Sequence, residues 1–235
     1  GCELAQAFRR LGAEVTVIDQ ATVLPKDDAD AVRIVHRALI DDGITLIEST
    51  GIARIESTLS GPELSLADGR RIAGSHLLIA AGRAVNVQDL GLEAAGIDYD
   101  RTGIKVDARL RSTNPRVFAA GDVAGGFQFT HLAGYHAGIV LRNALFRLPA
   151  KVNLAALPWV TYTDPELAHV GLTEAQARER HGDRVRIATA AFADNDRARA
   201  ERRTTGQVKV VAGRGGRILG CSIAGPHAGE LILPW

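Results

Sequence analysis

"GCELAQAFRRLGAEVTVID", residues 1–19, carries the clearest structural pattern in the chain. Apolar side chains recur at helical spacing in its first part, at Leu4, Ala7, Phe8 and Leu11. This spacing predicts a helix with one apolar face, ended by Gly12. The β-branched run that follows predicts a buried strand ending at Asp19. Because helix and then strand form the second half of a βαβ unit, the chain is predicted to begin in an α/β domain.

Gly1 and Asp19 stand where a dinucleotide-binding unit places its ligand contacts. In such units a glycine turn lets the backbone approach a pyrophosphate at a helix N-terminus, and an acid ending the next strand binds the adenosine ribose. An ordinary α/β crossover remains the alternative at this point. Since Asp19 would repel a 2'-phosphate and no Arg or Lys lies between Val15 and Pro25, the sequence favours NAD over NADP.

The next segments continue an α/β pattern. Residues 25–43 predict a second helix ended by glycine, and "ITLIES", residues 44–49, predicts the next strand. Residues 53–76 predict a short antiparallel excursion with a turn at Asp68 and Gly69. A buried strand is then predicted at 77–81, just before Gly82.

A second informative stretch is "RVFAAGDVAGG", residues 116–126. Val117 to Ala120 predict a short buried strand that runs into Gly121 and Asp122. A carboxylate without a partner is costly at the end of a buried strand. The pattern therefore predicts that Asp122 meets a ligand that carries hydroxyls or phosphates.

Taken in order, the motifs resemble the flavin-dependent pyridine nucleotide-disulphide oxidoreductases, a family that includes lipoamide dehydrogenase, glutathione reductase and mercuric reductase. Residues 1–19 resemble the end of the family's nicotinamide-binding glycine motif, and "LLIAAGRAVN", residues 77–86, is similar to its A-x-G-R-x-P-N segment, with Val85 in place of proline. "STNPRVFAAGDV", residues 112–123, resembles its later flavin motif. "LPWVTYTDPELAHVGLTEAQAR", residues 157–178, resembles the start of its dimerisation domain, and the mercuric reductase-like and lipoamide dehydrogenase-like branches are the most similar.

The resemblance implies an α/β nucleotide-binding (Rossmann-like) domain followed by an α+β dimerisation domain. It divides the chain into an NAD(P)-binding domain at 1–82 without its first strand, an FAD-contacting central segment at 83–155 and an incomplete dimerisation domain at 156–235. The last of these implies a homodimer. In the dimerisation domain, Thr173 is predicted to cap a short helix, and 207–212 and 217–225 to form antiparallel strands.

The resemblance also implies FAD and NAD as cofactors, with NADP disfavoured. The implied contacts to the pyridine nucleotide are Gly1, Glu3, Asp19 and Gly82. Those to FAD are Gly121, Asp122, Gln128, Phe129, Thr130 and Ala133, with Asp122 on the ribityl chain. Tyr135 and His136 are interpreted as a helix face near the cofactor, without a catalytic role. No catalytic or metal-binding residue is carried over, because Cys2 and Cys221 lie outside the family's cysteine-pair context.

The implied activity is that of an FAD-dependent NAD(P)H oxidoreductase, which passes a hydride through FAD to a disulphide, dithiol or metal acceptor. Its substrate would be a small molecule or a protein disulphide. Two alternatives stay open, a non-catalytic nucleotide-binding and dimerisation module and a flavoprotein of the NADH oxidase or peroxidase type. The chain holds no methionine, and the family's first FAD-binding turn, redox cysteines and His-Glu pair find no match. The chain is therefore expected to be an inactive fragment of a longer enzyme.

Bulk composition agrees with a globular protein, at 46% hydrophobic and 23% charged residues. The net charge of +1 gives no reason to expect nucleic acid or an anionic membrane as partner. Apolar runs are far shorter than the roughly 20 residues that cross a bilayer. Two cysteines without a metal or redox spacing suggest a reducing, cytoplasmic location.

Overall fold

The first part of the computed structural model, which describes residues 1–235, contains a helix and a strand–helix–strand unit. Helix α1 spans Cys2–Arg10, strand β1 spans Thr16–Ile18, helix α2 spans Ala29–Asp41 and strand β2 spans Thr45–Ile47. β1 and β2 are parallel. Parallel neighbours need a crossover connection, and α2 provides it, so the helix and strand predicted after Asp19 form a βαβ unit with β1.

Helix α2 has an N-terminal side-chain cap and one buried apolar face. The Asp28 side chain accepts a hydrogen bond from the Asp30 amide at 3.1 Å and so caps the N-terminus. Ala31, Val35 and Leu39 lie on one face and are fully buried. The helix therefore packs through a single apolar stripe.

The predicted antiparallel excursion follows as a three-stranded meander. β3 spans Ile52–Thr58, β4 spans Gly61–Leu66 and β5 spans Arg71–Ala73, in the order β3-β4-β5. The turn between β4 and β5 contains Asp68 and Gly69, as predicted. The Asp68 carboxylate tightens it by accepting from the Arg70 amide at 3.1 Å.

The strand predicted at 77–81 is wrong. These residues form no strand, and no backbone hydrogen bond joins them to any segment of the chain. Leu78 and Ile79 are exposed, with 72% of the Ile79 surface accessible. A strand exists only through its pairing with a neighbour, and the 235 residues place none beside this segment.

The apolar face predicted for α1 is not buried either. The helix forms as predicted, but Leu4, Phe8 and Leu11 are exposed, while Ala5 and Gln6 are buried. The Gln6 side chain donates to the Asp42 carboxylate and to the Asp164 carbonyl, both at 2.8 Å. Helix α1 therefore packs through Ala5 and the hydrogen-bonded side chain of Gln6, and not through its apolar face.

The central segment has little regular structure before its one long helix. Strands β6, Tyr99–Asp100, and β7, Gly103–Ile104, form a two-residue hairpin, a 3-10 helix spans Gly121–Ala124, and helix α3 spans Thr130–Ala144. A separate apolar core gathers beneath them, formed by Val87, Leu92, Ile97, Ile104 and Ala119.

The strand predicted at 117–120 is also wrong. Only one antiparallel bridge forms there, between Arg111 and Phe118. The Ala119 amide donates to the Leu110 carbonyl at 3.0 Å, but the facing residues 107–112 fold as a tight turn. A turn offers too few extended residues to extend one bridge into a ladder.

The C-terminal part is an antiparallel sheet with short helices. The strands are β8 Pro158–Thr161, β9 Glu166–Gly171, β10 Arg186–Ala191, β11 Gln207–Ala212 and β12 Ile218–Gly225. Their order in the sheet is β10-β11-β12-β9-β8, and every pair is antiparallel. The helices are α4 Glu174–His181, α5 Asp196–Ala200 and α6 Ala228–Leu231. The predicted antiparallel pair, β11 and β12, is confirmed.

The predicted helix cap at Thr173 is also confirmed. The Thr173 hydroxyl accepts from the Gln176 amide at 3.3 Å, and the Gln176 side chain accepts from the Thr173 amide at 3.2 Å. This reciprocal capping box begins α4.

Two compact units make up the chain. One joins Gly1–Ala80 with Pro158–Trp235, and the other is Ala81–Leu157. In the first unit, apolar residues of α1 and α2 share a core with Leu167 of β9 and Ala224 of β12. The three-segment division at 82 and 155 remains a prediction. No helix has both the length and the apolar character needed to cross a membrane.

A buried lysine joins distant parts of the first unit. Lys209 on β11 is only 3% exposed. Its Nζ lies 3.0 Å from an oxygen of Asp28, 2.7 Å from one of Asp30 and 2.6 Å from one of Glu174. The hydrogen bonds to Lys209 hold the pKa of the Asp30 and Glu174 carboxyls below their usual values. Lys209 therefore holds the N-termini of α2 and α4 against the five-stranded sheet.

Both cysteines are free thiols. Cys221 on β12 is fully buried, and burial raises the pKa of its thiol to about 12. Cys2 is half-buried, and burial is the largest cause that raises its pKa. Since the thiolate is the reactive form, neither residue has the character of a redox cysteine.

We expect Lys209→Met to lower the free energy of unfolding by about 3–5 kcal/mol, because it leaves three carboxylates without their buried cation. Urea unfolding measures the change. The matched control is Arg197→Ala, which breaks an exposed pair with Glu201 on α5 and should cost about 0.5 kcal/mol or less. Equal losses in the two variants would contradict the role given to Lys209.

We expect iodoacetamide at mildly alkaline pH to leave Cys221 unmodified in the native protein, because the thiol is buried and protonated. Cys2 should react slowly, and both should react fully in denaturant. Peptide mass spectrometry reads the two sites separately. Labelling of Cys221 at equal rates in native and unfolded protein would show that it is accessible.

Candidate functional site

Asp19 directly follows β1, at the carboxyl end of the parallel pair. Its amide donates to the Ile47 carbonyl at 2.9 Å, which holds the residue against β2. Its Oδ1 accepts from the Ala21 amide at 2.8 Å, whereas Oδ2 has no partner in the chain. No lysine or arginine forms an ion pair with it. The carboxylate is therefore oriented by a local turn, with one oxygen left for a ligand.

Gly1 caps helix α1 without a side chain, so the first amides of the helix stay open. The Asp19 and Glu3 charges both act to raise the pKa of the Cys2 thiol in the first turn of α1, after the larger effect of burial. Glu3 is exposed, and its Oε1 accepts from the Tyr162 amide at 2.6 Å. Gly1, Glu3 and Asp19 are three of the four residues predicted to contact the pyridine nucleotide. The first two lie at the N-terminus of α1 and the third follows β1, and Glu3 already uses one oxygen.

Gly121 begins the turn that carries Asp122. It is buried and has a φ of +73°, and a Cβ built on it would lie 3.0 Å from the Ala133 Cβ. Gly125, at the end of the same turn, has a φ of +76°, and a Cβ there would lie 2.8 Å from the Thr102 carbonyl oxygen. Both positions therefore require glycine, and the turn is held between α3 and the β6–β7 hairpin.

Asp122 is exposed at the second position of the 3-10 helix. Its side chain has no hydrogen bond or ion pair in the chain, and only its carbonyl is used, by the Gly125 amide at 3.0 Å. The exposure differs from the buried setting that the sequence suggested, because the preceding residues form no strand. A fixed backbone thus presents a free carboxylate.

The segment that leads into α3 carries a row of stacked rings. The Phe129 ring lies 5.7 Å from that of Phe127 and 5.3 Å from that of His131, with interplanar angles of 15° and 11°. Thr130 is the first residue of α3, and the Phe129 carbonyl accepts from the Ala133 amide at 3.2 Å. The open amides of a long helix therefore stand next to flat apolar surface, which suits an aromatic ligand with anionic or carbonyl oxygens.

Arg83 is a contact that the sequence analysis did not select. Its guanidinium donates to the Gln128 carbonyl at 3.3 Å. The bond joins Arg83, the residue after Gly82, to the segment before α3. The A-x-G-R pattern was the signal that could have singled it out, because the family motif contains this arginine position.

His136 was given no role beyond a helix face, yet it contacts the Gly121 turn directly. The Gly121 amide donates to its Nδ1 at 3.1 Å, and the imidazole is 4% exposed. Burial lowers the pKa of this histidine. The sequence alone offered no signal for the contact, since the two residues lie on different elements.

The predicted residues fall into two groups. Gly1, Glu3 and Asp19 belong to the first unit, and Gly82 with the predicted flavin contacts belongs to the second. The first group offers a free carboxylate oxygen and open helix amides, which suit part of a dinucleotide. The second group offers a glycine turn with an exposed carboxylate, and a buried imidazole nitrogen without a partner lies behind that turn. The assignment of individual contacts remains a prediction.

Comparison with known proteins identifies the family. Residues 1–137 match the family described as pyridine nucleotide-disulphide oxidoreductase, and residues 157–234 match its dimerisation domain. The dihydrolipoyl dehydrogenase of Bacillus subtilis is 35% identical over 237 residues, which cover 99% of this chain and 51% of that protein. The mercuric reductase of Bacillus cereus is 37% identical over 238 residues, which cover 99% and 38%.

Solved structures agree. LpdA from Mycobacterium tuberculosis superposes with a TM-score of 0.92 at 30% identity, over 99% of this chain and 51% of that one. The Cu(II) complex of RclA, an HOCl-induced flavoprotein disulfide reductase from Escherichia coli, gives 0.92 at 31% identity, over 100% and 55%. The chain spans about half the length, or less, of the curated relatives that it matches.

These matches confirm the predicted fold class, a nucleotide-binding domain followed by a dimerisation domain. The chain therefore belongs to the pyridine nucleotide-disulphide oxidoreductase family, which is FAD-dependent and uses NAD(P) as its pyridine nucleotide.

Proposed function

We propose that the protein is an FAD-dependent oxidoreductase that passes a hydride between NAD(P)H and, through FAD, a disulphide, dithiol or metal acceptor. One observation carries the proposal: Asp19 and Asp122, predicted to hold the two nucleotides, each keep a carboxylate oxygen that no group of the chain uses. When bound, FAD and NAD(P) supply the hydride chemistry. The residues of this chain bind and orient them.

For the pyridine nucleotide, Asp19 accepts hydrogen bonds from the adenosine ribose, and the open end of α1 at Gly1 faces the pyrophosphate. Glu3 and Gly82 are the other two proposed contacts, and Gly82 is assigned to the nicotinamide side. NAD is favoured over NADP, because a 2'-phosphate would meet the Asp19 charge with no lysine or arginine paired to it.

For the flavin, Asp122 accepts hydrogen bonds from the ribityl hydroxyls, and Gly121 allows the turn that presents it. Backbone groups from Gln128 to Thr130 would hold the flavin ring, and the small Ala133 side chain leaves room for the Gly121 turn against α3. The ring stack at Phe129 gives this segment a fixed apolar surface.

We further propose a cytoplasmic homodimer that forms through the C-terminal domain. The match of residues 157–234 to a dimerisation domain supports the dimer, and large exposed apolar side chains near its end, Leu231, Leu233 and Trp235, provide surface for it. Two free thiols support a reducing compartment. The substrate, a small molecule or a protein disulphide, is left open.

A second proposal concerns these 235 residues by themselves. Cys221 is buried with a pKa of about 12, and the pKa of Cys2 is also raised. Because reactive cysteines need an accessible thiolate, the two thiols are poor redox partners. We therefore expect the isolated chain to act as a nucleotide-binding and dimerising module without turnover.

We expect Asp19→Ala to weaken NADH binding by about 1–3 kcal/mol, through loss of a charge-assisted hydrogen bond to the ribose. Isothermal calorimetry measures the affinity. Glu14→Ala is the matched control, since it removes an exposed, unpaired acid before β1. Asp19→Asn keeps an acceptor for the Ala21 amide, so it distinguishes loss of the charge from loss of the turn hydrogen bond. Unchanged affinity in Asp19→Ala would remove this residue from the site.

We expect Asp122→Ala in the full-length protein to yield enzyme depleted in FAD, because the ribityl hydroxyls lose their acceptor. The ratio of visible flavin absorbance to protein absorbance measures occupancy after purification. Asp98→Ala, which removes another exposed acid of the same unit, should keep its flavin. Full occupancy in Asp122→Ala would show that the assignment of Asp122 is wrong.

A further inference from the structure

His136 lies in the middle of the buried face of α3. Leu132 and Ile139, one turn before it and about one turn after it, are the other buried residues of the helix, and the histidine is 4% exposed. Its neighbours on this face are thus aliphatic. A polar group in such a place destabilises the fold unless a hydrogen bond compensates for its lost hydration.

One such hydrogen bond is present. The Gly121 amide donates to His136 Nδ1 at 3.1 Å, and both groups are buried. Gly121 lies at the start of the 3-10 helix with a φ of +73°, so neither a strand ladder nor a helix provides an acceptor for its amide. The imidazole therefore satisfies a backbone donor that would otherwise be buried without a partner.

This contact determines the protonation state of the ring. Nδ1 can accept only with a free lone pair, so the imidazole is neutral and its proton is on Nε2. The lowered pKa, caused by burial, agrees with a neutral ring. Nε2 is also buried and has no hydrogen-bond partner in the chain.

Packing alone does not account for a histidine here. Leucine would fill similar space without a buried donor at Nε2. The cost of that donor is offset by the bond to Gly121, the residue that immediately precedes Asp122. Ala133, three residues before His136 on α3, also faces Gly121. One small side chain and one acceptor on α3 thus fix the position of the turn.

We propose that His136 is a positioning residue of the flavin site. In its neutral form it accepts a hydrogen bond from the Gly121 amide and so fixes the direction in which Asp122 points. The inference rests on the proposed function of Asp122 as the ribityl contact. Without the acceptor, the turn rotates its amide toward water in the flavin-free protein. Binding of FAD must then reverse that change.

The test compares FAD affinity in variants of the full-length protein. His136→Asn keeps an acceptor at the place of Nδ1, whereas His136→Gln keeps a similar polar side chain with its amide near the place of Nε2. Fluorescence titration of flavin-free protein gives the affinity, and thermal unfolding of the same samples gives stability. We expect His136→Asn to bind FAD nearly as the wild type does, and His136→Gln about ten-fold more weakly at equal stability.

Three results separate the possibilities. Equal FAD affinity in the wild type and both variants would overturn the role of His136, as would equal losses in both variants. A wild-type protein that binds no FAD would instead overturn the proposed function. If the variants do not fold, the wild-type holoprotein still provides a test. The ¹⁵N chemical shifts of labelled histidine should show that His136 Nδ1 is unprotonated. A protonated Nδ1 would overturn the proposal.

Discussion

A single buried cation, Lys209, holds the first unit together. It contacts Asp28 at the N-terminus of α2 and Glu174 at the N-terminus of α4, from its place on β11. Removing charges from water is costly, and the cost is offset only when each charge has partners in good geometry. Three carboxylates surround this ammonium group, so its position is determined, and with it the positions of the two helices on the sheet.

Further polar contacts hold α1 to the C-terminal part of the same unit. Gln6 of α1 donates to the Asp42 carboxylate and to the Asp164 carbonyl, Arg10 pairs with the carboxylates of Asp42 and Asp164, and Arg203 also pairs with Asp164. The ion pairs of Arg10 and Arg203 are partly exposed, so each contributes less than the Lys209 cluster. Together they hold α1, which begins beside Gly1, and the five-stranded sheet in one compact unit. Replacing the Asp164 side chain would therefore remove a contact to Arg10, the last residue of α1.

The two aspartates of the candidate site are held by different means. Asp19 is oriented by its own side chain, because one oxygen binds the Ala21 amide. Asp122 is oriented by its backbone, since the preceding glycine donates to a histidine on another element. The first arrangement is local in sequence and could be expected from it. The second joins a turn to a helix and depends on how the chain folds.

From the sequence alone one can identify the family and the helix and strand types of the longer elements, and predict two acids as ligand contacts. α2, β11, β12 and the Thr173 cap follow from periodicity and local hydrogen bonding, which act over a few residues. The remaining features depend on contacts between distant segments. The apolar stripe of α1 and the run at 77–81 remained exposed, because burial and strand formation need a neighbour that local pattern does not reveal. The partners of Lys209 and His136 likewise come from distant positions, and their hydrogen bonds exist only after the elements have packed.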